Sequence, residues 1–271
     1  MRAVRLTRRV TFSSGHRYWD GSLSAEQNRA KFGDWASPFN HGHNYALEVT
    51  TVGVINPRDG MVINIKTIDD ALQREVVQRF DQRSINDEVE PFDSVPPTTE
   101  NLIQFFADKL PKTLPPEAKL DELKLEETPT LYARWRANAV TLTRSYEFAA
   151  SHRLHCDSLS PDENLELFGK CNNLAGHGHN YILEVEVGGS IDPETGMLVS
   201  LHGLDEIVNR EIVDRYDHRN FNIDIQEFEG KNPTSEVVCQ EIFDRLQRAI
   251  PVTLVSIRLW ETARNMFEVR A

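Results

Sequence analysis

Cysteine is scarce in this 271-residue chain: there are three, Cys156, Cys171 and Cys239, with no Cys-x-x-Cys spacing among them. An odd count at such spacing excludes a disulfide framework and points to a reducing, cytoplasmic compartment. Long apolar runs are also missing. Nothing approaches the roughly 18–20 apolar residues that a membrane span needs. The opening MRAVRLTRRVTF has basic residues but no apolar stretch behind them, so no secretory signal is expected. Positive charge is in deficit, with 30 Lys and Arg against 42 Asp and Glu, a net charge of −12 without a basic cluster. A surface of that sign repels nucleic acid. It does not exclude a small anionic substrate, because a few local cations outweigh a distant field.

What is present is a repeat. The string HGHNY occurs at 41–45 and at 177–181, an offset of 136. The same offset carries His16 onto His152, Gly60-Met61 onto Gly196-Met197, Asp81 onto Asp217, Asn86 onto Asn222 and Pro97-Thr98 onto Pro233-Thr234. Glu127 in EET matches Glu261 in WET at 134, two residues having been lost near 250–252. A register held this long marks a duplicated domain. The expected domains are 1–137 and 138–271, and with no Gly/Ser- or Pro-rich linker between them the halves are expected to pack together.

Each half reads as α+β. An alternating strand (4–13 or 140–149) precedes a long loop, and HGHNY then opens a second strand that ends at a turn, NPRDGM or DPETGM. A helix over 67–80 follows, with Ile68, Leu72, Val76 and Phe80 as its apolar face; its partner covers 204–216. A second helix opens at Thr98 or Thr234, and LDELKLEET or LVSIRLWET closes the half as a strand.

Residues i and i+2 of a strand share a face, so His41 and His43 present two imidazoles side by side, as do His177 and His179. His16 and His152 each stand 25 residues upstream and supply a third. Three imidazoles without a thiolate suit a catalytic metal that keeps an open position. One HGH alone would fit solvated or core histidines equally well; two copies, each with a third histidine in register, favour the metal. His155 and His202 have no counterparts and read as surface residues.

The halves differ near these histidines. Cys171 stands where the first half has Trp35, and His218 where it has Gln82. The second half thus carries a thiol and an Asp-His pair, Asp217-His218, where the first keeps only Asp81. A thiolate near a cationic metal takes up and returns protons near neutrality; the simpler alternative makes Cys171 a fourth ligand. Cys156, in a loop, and Cys239, on a helix's apolar side, read as structural.

With FAASHRL, FGKCNNLAGHGHNY, DPETGM, YDHRNFN, PTSE and WET, the second half resembles the 6-pyruvoyl-tetrahydropterin synthase family over essentially its whole length. The six-residue step from Cys171 to His177 looks like the animal-type enzymes; the related 6-carboxy-tetrahydropterin synthases tend to have shorter spacing there. The first half shares HGHNY, FDQR, PTTEN and EET. The resemblance implies two tandem T-fold (tunnelling fold) domains. Each would be a four-stranded antiparallel sheet with two helices on one face, joining others edge to edge into β-barrels. It further implies a homotrimer that mimics a hexamer. The implied reaction converts 7,8-dihydroneopterin triphosphate to 6-pyruvoyl-tetrahydropterin with loss of triphosphate. Up to two Zn²⁺ per chain would be held by His152, His177 and His179 and by His16, His41 and His43. Cys171, Asp217 and His218 would be catalytic. Glu261, Thr234 and Ser235 would hold the pterin, with Glu127, Thr98 and Thr99 in the same places in the first half. Lys170, Arg153 and Arg219 are candidates for the triphosphate. The first half could bind metal and pterin without turnover, serve as scaffold, or lend groups to neighbouring pockets. The alternatives are a 6-carboxy-tetrahydropterin synthase and a pterin-binding or assembly protein without turnover.

Overall fold

The computed structural model describes residues 2–271. Its contacts divide the chain into unit 1, Met1–Thr143 with Gly188–His202, and unit 2, Arg144–Val187 with Gly203–Ala271. Among the described residues no helix is long and apolar enough to cross a membrane.

In unit 1, β1 (Ala3–His16) pairs antiparallel with β2 (His41–Val54), from Ala3 opposite Val54 to His16 opposite His41. The loop between them holds α1 (Ala25–Phe32), started by a capping box of Ser24 and Gln27. Next come α2 (Ile65–Leu72), the two-residue β3 (Arg83–Ser84), α3 (Thr99–Lys109), β4 (Lys119–Thr128) and β5 (Leu131–Arg136). The strand order is β5-β4-β2-β1-β3. Four strands are antiparallel, as expected, and β3 adds a short parallel rung on the end of β1. The face carrying Phe12, Tyr45, Leu47 and Val49 is buried beneath the helices. There the Phe12 ring stacks on Tyr45 at 5.0 Å and meets Phe80 at 5.6 Å and Phe106 at 6.1 Å.

The single helix expected over 67–80 is interrupted. After α2 the chain widens into a π turn, Gln73–Val77, before Gln78–Phe80. A spacing of four throughout drifts about 40° per step on a regular helix. The wider turn takes up that drift, and Ile68, Leu72, Val76 and Phe80 are all buried.

The second repeat follows the same plan with β6 (Ala139–His152), α4 (Pro161–Phe168), β7 (His177–Gly188), α5 (Leu201–Val208) and β8 (Arg219–Asn220). It continues with α6 (Ser235–Ala249), β9 (Thr253–Thr262) and β10 (Asn265–Arg270). A π turn again follows α5, at Asn209–Val213. The order is β10-β9-β7-β6, with β8 on β6. Phe148 stacks on Tyr181 at 5.2 Å and meets Tyr216 at 5.9 Å. Each sheet is open within its unit, so the barrel implied by the resemblance is not formed there.

Gly188–His202 belongs with unit 1 because it is bonded there. Thr98 Oγ1 donates to the Gly196 carbonyl at 2.6 Å, and the Leu198 N–H donates to Glu100 Oε1 at 3.0 Å. Met197 is buried against Tyr18 and Phe32, beside Trp35 and Ala36.

Candidate functional site

Strand pairing builds the first histidine centre. His16 sits directly opposite His41, and His43 follows two residues on, so all three project from one face. Ring centroids lie 4.5 Å (His16–His41), 5.1 Å (His16–His43) and 4.9 Å (His41–His43) apart. The second centre reproduces this at 4.7, 5.3 and 4.9 Å for His152–His177, His152–His179 and His177–His179. In each trio one nitrogen per ring lies within 4.8 Å of the others, as holding one metal ion requires.

The surroundings leave those nitrogens available. His16 Nδ1 is 2.9 Å from the Pro97 carbonyl and His152 Nδ1 is 2.8 Å from that of Pro233. Donating there fixes the tautomer and turns each Nε2 inward. His16 Nε2, His43 Nε2, His152 Nε2, His177 Nδ1 and His179 Nε2 are buried without a hydrogen-bond partner. Orphaned lone pairs of this kind are costly unless something binds them. Burial lowers His16 to about 4, with the neighbouring His41 adding to the effect, and lowers His43, His152 and His179 as well. Neutral imidazoles are the form that ligates. By donor type, spacing and unsatisfied nitrogens, both trios fit a metal ion.

A carboxylate stands beside each trio. Glu261 Oε1 is 3.7 Å from both His152 Nε2 and His179 Nε2, and Glu127 Oε1 is 3.4 Å from His43 Nε2. Ser235 Oγ donates to Glu261 Oε1 at 2.8 Å and Asn265 Nδ2 to Oε2 at 3.2 Å. Burial raises Glu261, but these donors and the adjacent imidazoles outweigh it and hold the carboxyl below its usual range. Thr99 Oγ1 makes the corresponding bond to Glu127. Thr234 and Thr98 instead cap their helices, accepting from Val237 N and Asn101 N.

Asp217 and His218 are joined by a 2.8 Å bond from Nδ1 to Oδ2, while the Ala149 N–H donates to Asp217 Oδ1 at 2.8 Å. The Ala149 bond first, then the His218 bond, keeps Asp217 below the ordinary carboxylate range. With Nδ1 engaged, His218 offers Nε2. Both His218 and its counterpart Gln82 adopt left-handed backbone, φ 58° and 60°. His218, Arg219, His179 and Glu261 line one open cleft of about 770 Å³.

Cys171 belongs to the segment between α4 and β7. It sits half-buried in the turn Gly169–Asn172, its carbonyl accepting from Leu154 N at 2.9 Å, and it does not line that cleft. Among the described residues no hydrogen bond joins its sulfur to Asp217 or His218. Cys239 is buried and Cys156 is in a loop, as expected. Arg153 is tied to Asn172 and His155, and Lys170 is exposed. His155 and His202, read as surface residues, are half-buried, and each has an acidic neighbour, Asp157 and Asp34.

Two features escaped the sequence reading. Tyr45 and Tyr181 end the HGHNY strings and lie 5.6 and 5.7 Å from His43 and His179; continuing the two-residue period would have found them. Glu100 is buried, whereas its counterpart Glu236 is exposed. Burial raises Glu100 to about 7, against the opposing Leu198 N–H and with Glu127 nearby. An acid whose folded value exceeds its unfolded one favours folding below about 4.5 and loses that contribution as pH rises through about 7. Glu100→Gln should therefore raise unfolding free energy at pH 8 by about 1–3 kcal/mol and change little at pH 4, as read from urea titrations.

The model of the 6-pyruvoyl tetrahydropterin synthase family matches twice, over residues 5–138 and 141–271. The 6-pyruvoyl tetrahydrobiopterin synthase of Drosophila melanogaster is 44% identical over 131 residues, 48% of this chain and 78% of that protein. That of Homo sapiens is 44% identical over 126 residues, 46% of this chain and 87% of that protein. The 6-carboxy-5,6,7,8-tetrahydropterin synthase of Haemophilus influenzae is 31% identical over 120 residues, 37% of this chain and 84% of that protein.

Proposed function

Because the chain belongs to the 6-pyruvoyl tetrahydropterin synthase family, twice over, we propose that its second half converts 7,8-dihydroneopterin triphosphate to 6-pyruvoyl-tetrahydropterin and triphosphate. The observation that carries this reading is the asymmetry of the repeat. Both halves keep three imidazoles and a carboxylate, but only the second has Cys171 and His218 in place of Trp35 and Gln82.

His152, His177 and His179 would hold Zn²⁺, which supplies Lewis acidity that makes C–H and O–H protons beside the bound hydroxyls of the substrate easier to remove. Glu261, aimed by Ser235, accepts paired hydrogen bonds from a ring N–H and the exocyclic amine of the pterin. Thr234 and Ser235 flank the ring at the start of α6. Cys171, as thiolate, removes and returns protons. His218, oriented by Asp217, moves a proton at Nε2. The redox change is internal to the substrate, so no nicotinamide is required.

The first half, with Trp35 and Gln82, binds metal without turning substrate over. Three chains would supply six such domains, and three free thiols suit a reducing cytoplasm. Incubating the metal-loaded protein with dihydroneopterin triphosphate should yield inorganic triphosphate and a product whose mass retains a three-carbon substituent. A carboxylate product instead would assign the 6-carboxy reaction, and no triphosphate at all would leave a binding protein.

A further inference from the structure

Unit 1 shows what a docked strap looks like. The strap, Gly188–His202, puts Gly196 on Thr98, Leu198 on Glu100 and Met197 on Tyr18 and Phe32. His202 closes its end, with Nδ1 3.2 Å from Asp34 Oδ2 and its ring over Gly33. The first repeat has its own strap at residues 52–66, with Gly60, Met61, Val62 and Lys66 in the corresponding places. The second repeat has the corresponding socket: Thr234, Glu236, Leu154, Phe168, Gly169, Lys170 and Cys171.

Both are uncovered. Met61 is 43% exposed where Met197 is 5%. Glu236, Lys66 and Lys170 are exposed, and nothing lies within 4 Å of where a Cβ would stand on Gly60 or Gly169. The strap is nevertheless already shaped. Its turn has Asn56 N on Met61 O and Gly60 N on Asn56 O, both at 2.8 Å, against 2.9 and 2.8 Å for Asp192 N on Met197 O and Gly196 N on Asp192 O. Gly60 has φ 76° and Gly196 has φ 74°. A preformed turn loses little freedom on docking.

The socket differs as a missing strap requires. In unit 1 a cavity of about 350 Å³ is lined by Arg17, Gly21 and Lys31 with Pro193 and Glu194 of the strap; the corresponding cavity in unit 2 measures about 730 Å³. Charges have changed on both sides together. Asp192, held low chiefly by the Thr195 N–H and least by Lys31, corresponds to Asn56, and Lys31 to Leu167. Glu194 is Arg58, while Gly21 of the facing wall is Asp157. The exception informs: His202 and Asp34, which pair, correspond to Lys66 and Lys170, two like charges, the second on the turn that carries Cys171.

We propose that residues 52–66 of one copy of this chain dock on the second repeat of another copy, where Lys66 joins Lys170 as a cationic pair for the substrate's triphosphate. The contact is head to tail, one strap and one socket per copy. Gly60 accepts from Thr234, the Val62 N–H donates to Glu236, and Met61 packs over Leu154, Phe168 and Cys171. Two lysines that would repel each other alone are stabilised by a polyanion between them. Naming that anion rests on the lyase reading; the docking does not.

Two measurements test this. On a Cys156→Ser background, Met61→Cys treated with a short bis-maleimide should couple to Cys171 of another copy. Denaturing gels would then show multiples of the 31.0 kDa chain that vanish when Cys171→Ser is added. A product that stays at the mass of one chain overturns the docking. In calorimetry with inorganic triphosphate, Lys66→Glu should weaken binding by about tenfold or more, with Lys66→Arg close to wild type. In turnover the loss should fall on KM and spare kcat. Unchanged triphosphate affinity overturns the cation pair. Cross-linking needs no turnover, so a failed lyase assay with intact cross-links would reject the reaction alone.

Discussion

Replacing Cys171 by alanine is expected to lower triphosphate release by about 10²–10⁴-fold, the range associated with losing a positioned proton carrier, while zinc content stays at the wild-type level. The fold should tolerate the change. The thiol is half-buried at the end of a short turn, and the bond that ties this turn to the strand end comes from the Cys171 carbonyl, which alanine retains. Cys171→Ser should remain nearly as slow, because a hydroxyl holds its proton far more tightly than a thiol does. Zinc lost together with activity would make the sulfur a fourth ligand. Activity within twofold of wild type would remove Cys171 from the mechanism and, with it, the reason for assigning turnover to the second half.

The second large effect concerns the two imidazole trios. Wild-type protein should bind about two zinc ions per chain, since each trio gathers three imidazole nitrogens at the separation an ion needs, with His16, His43, His152, His177 and His179 each offering one that is buried and unpartnered. His177→Ala should leave one ion and reduce turnover to background. His41→Ala should also leave one ion yet keep turnover within about twofold, because the first half lacks both the thiol and the imidazole base. Metal analysis beside initial rates reads both outcomes at once. No zinc in the wild type would refute the metal reading of both trios. A dead His41→Ala with its second ion in place would show that the first centre takes part in the reaction.

Much of the site was legible because strand geometry is local. A period of two sets His41, His43 and Tyr45 on one face, and the long β1–β2 pairing brings His16 opposite His41. The caps at Thr98 and Thr234 were likewise readable from a helix start behind proline. What stayed hidden depends on distant contacts. Glu100 and Glu236 are the same letter in the same register, yet one is sealed beneath Leu198 and the other meets water. No local pattern separates them. The π turns were hidden differently: apolar spacing of four signals a helix without revealing that the helix must widen to keep those side chains on one side. The proximity of Glu261 to two imidazoles also had no signature, since the residues that meet lie on strands far apart in the sequence.

The left-handed backbone at His218 invites a reading as strain stored for chemistry, and its twin corrects that. Gln82 bends to within two degrees of the same angle, closed by the same pair of bonds, from Gln82 N to Ser13 O and from Ser13 N to Asp81. Since a residue that does not titrate sits in the same crook, the bend belongs to the repeated fold and not to the imidazole it carries. What distinguishes the copies at this point is the group that hangs from the hook, an imidazole in one and an amide in the other, while the hook itself is common to both.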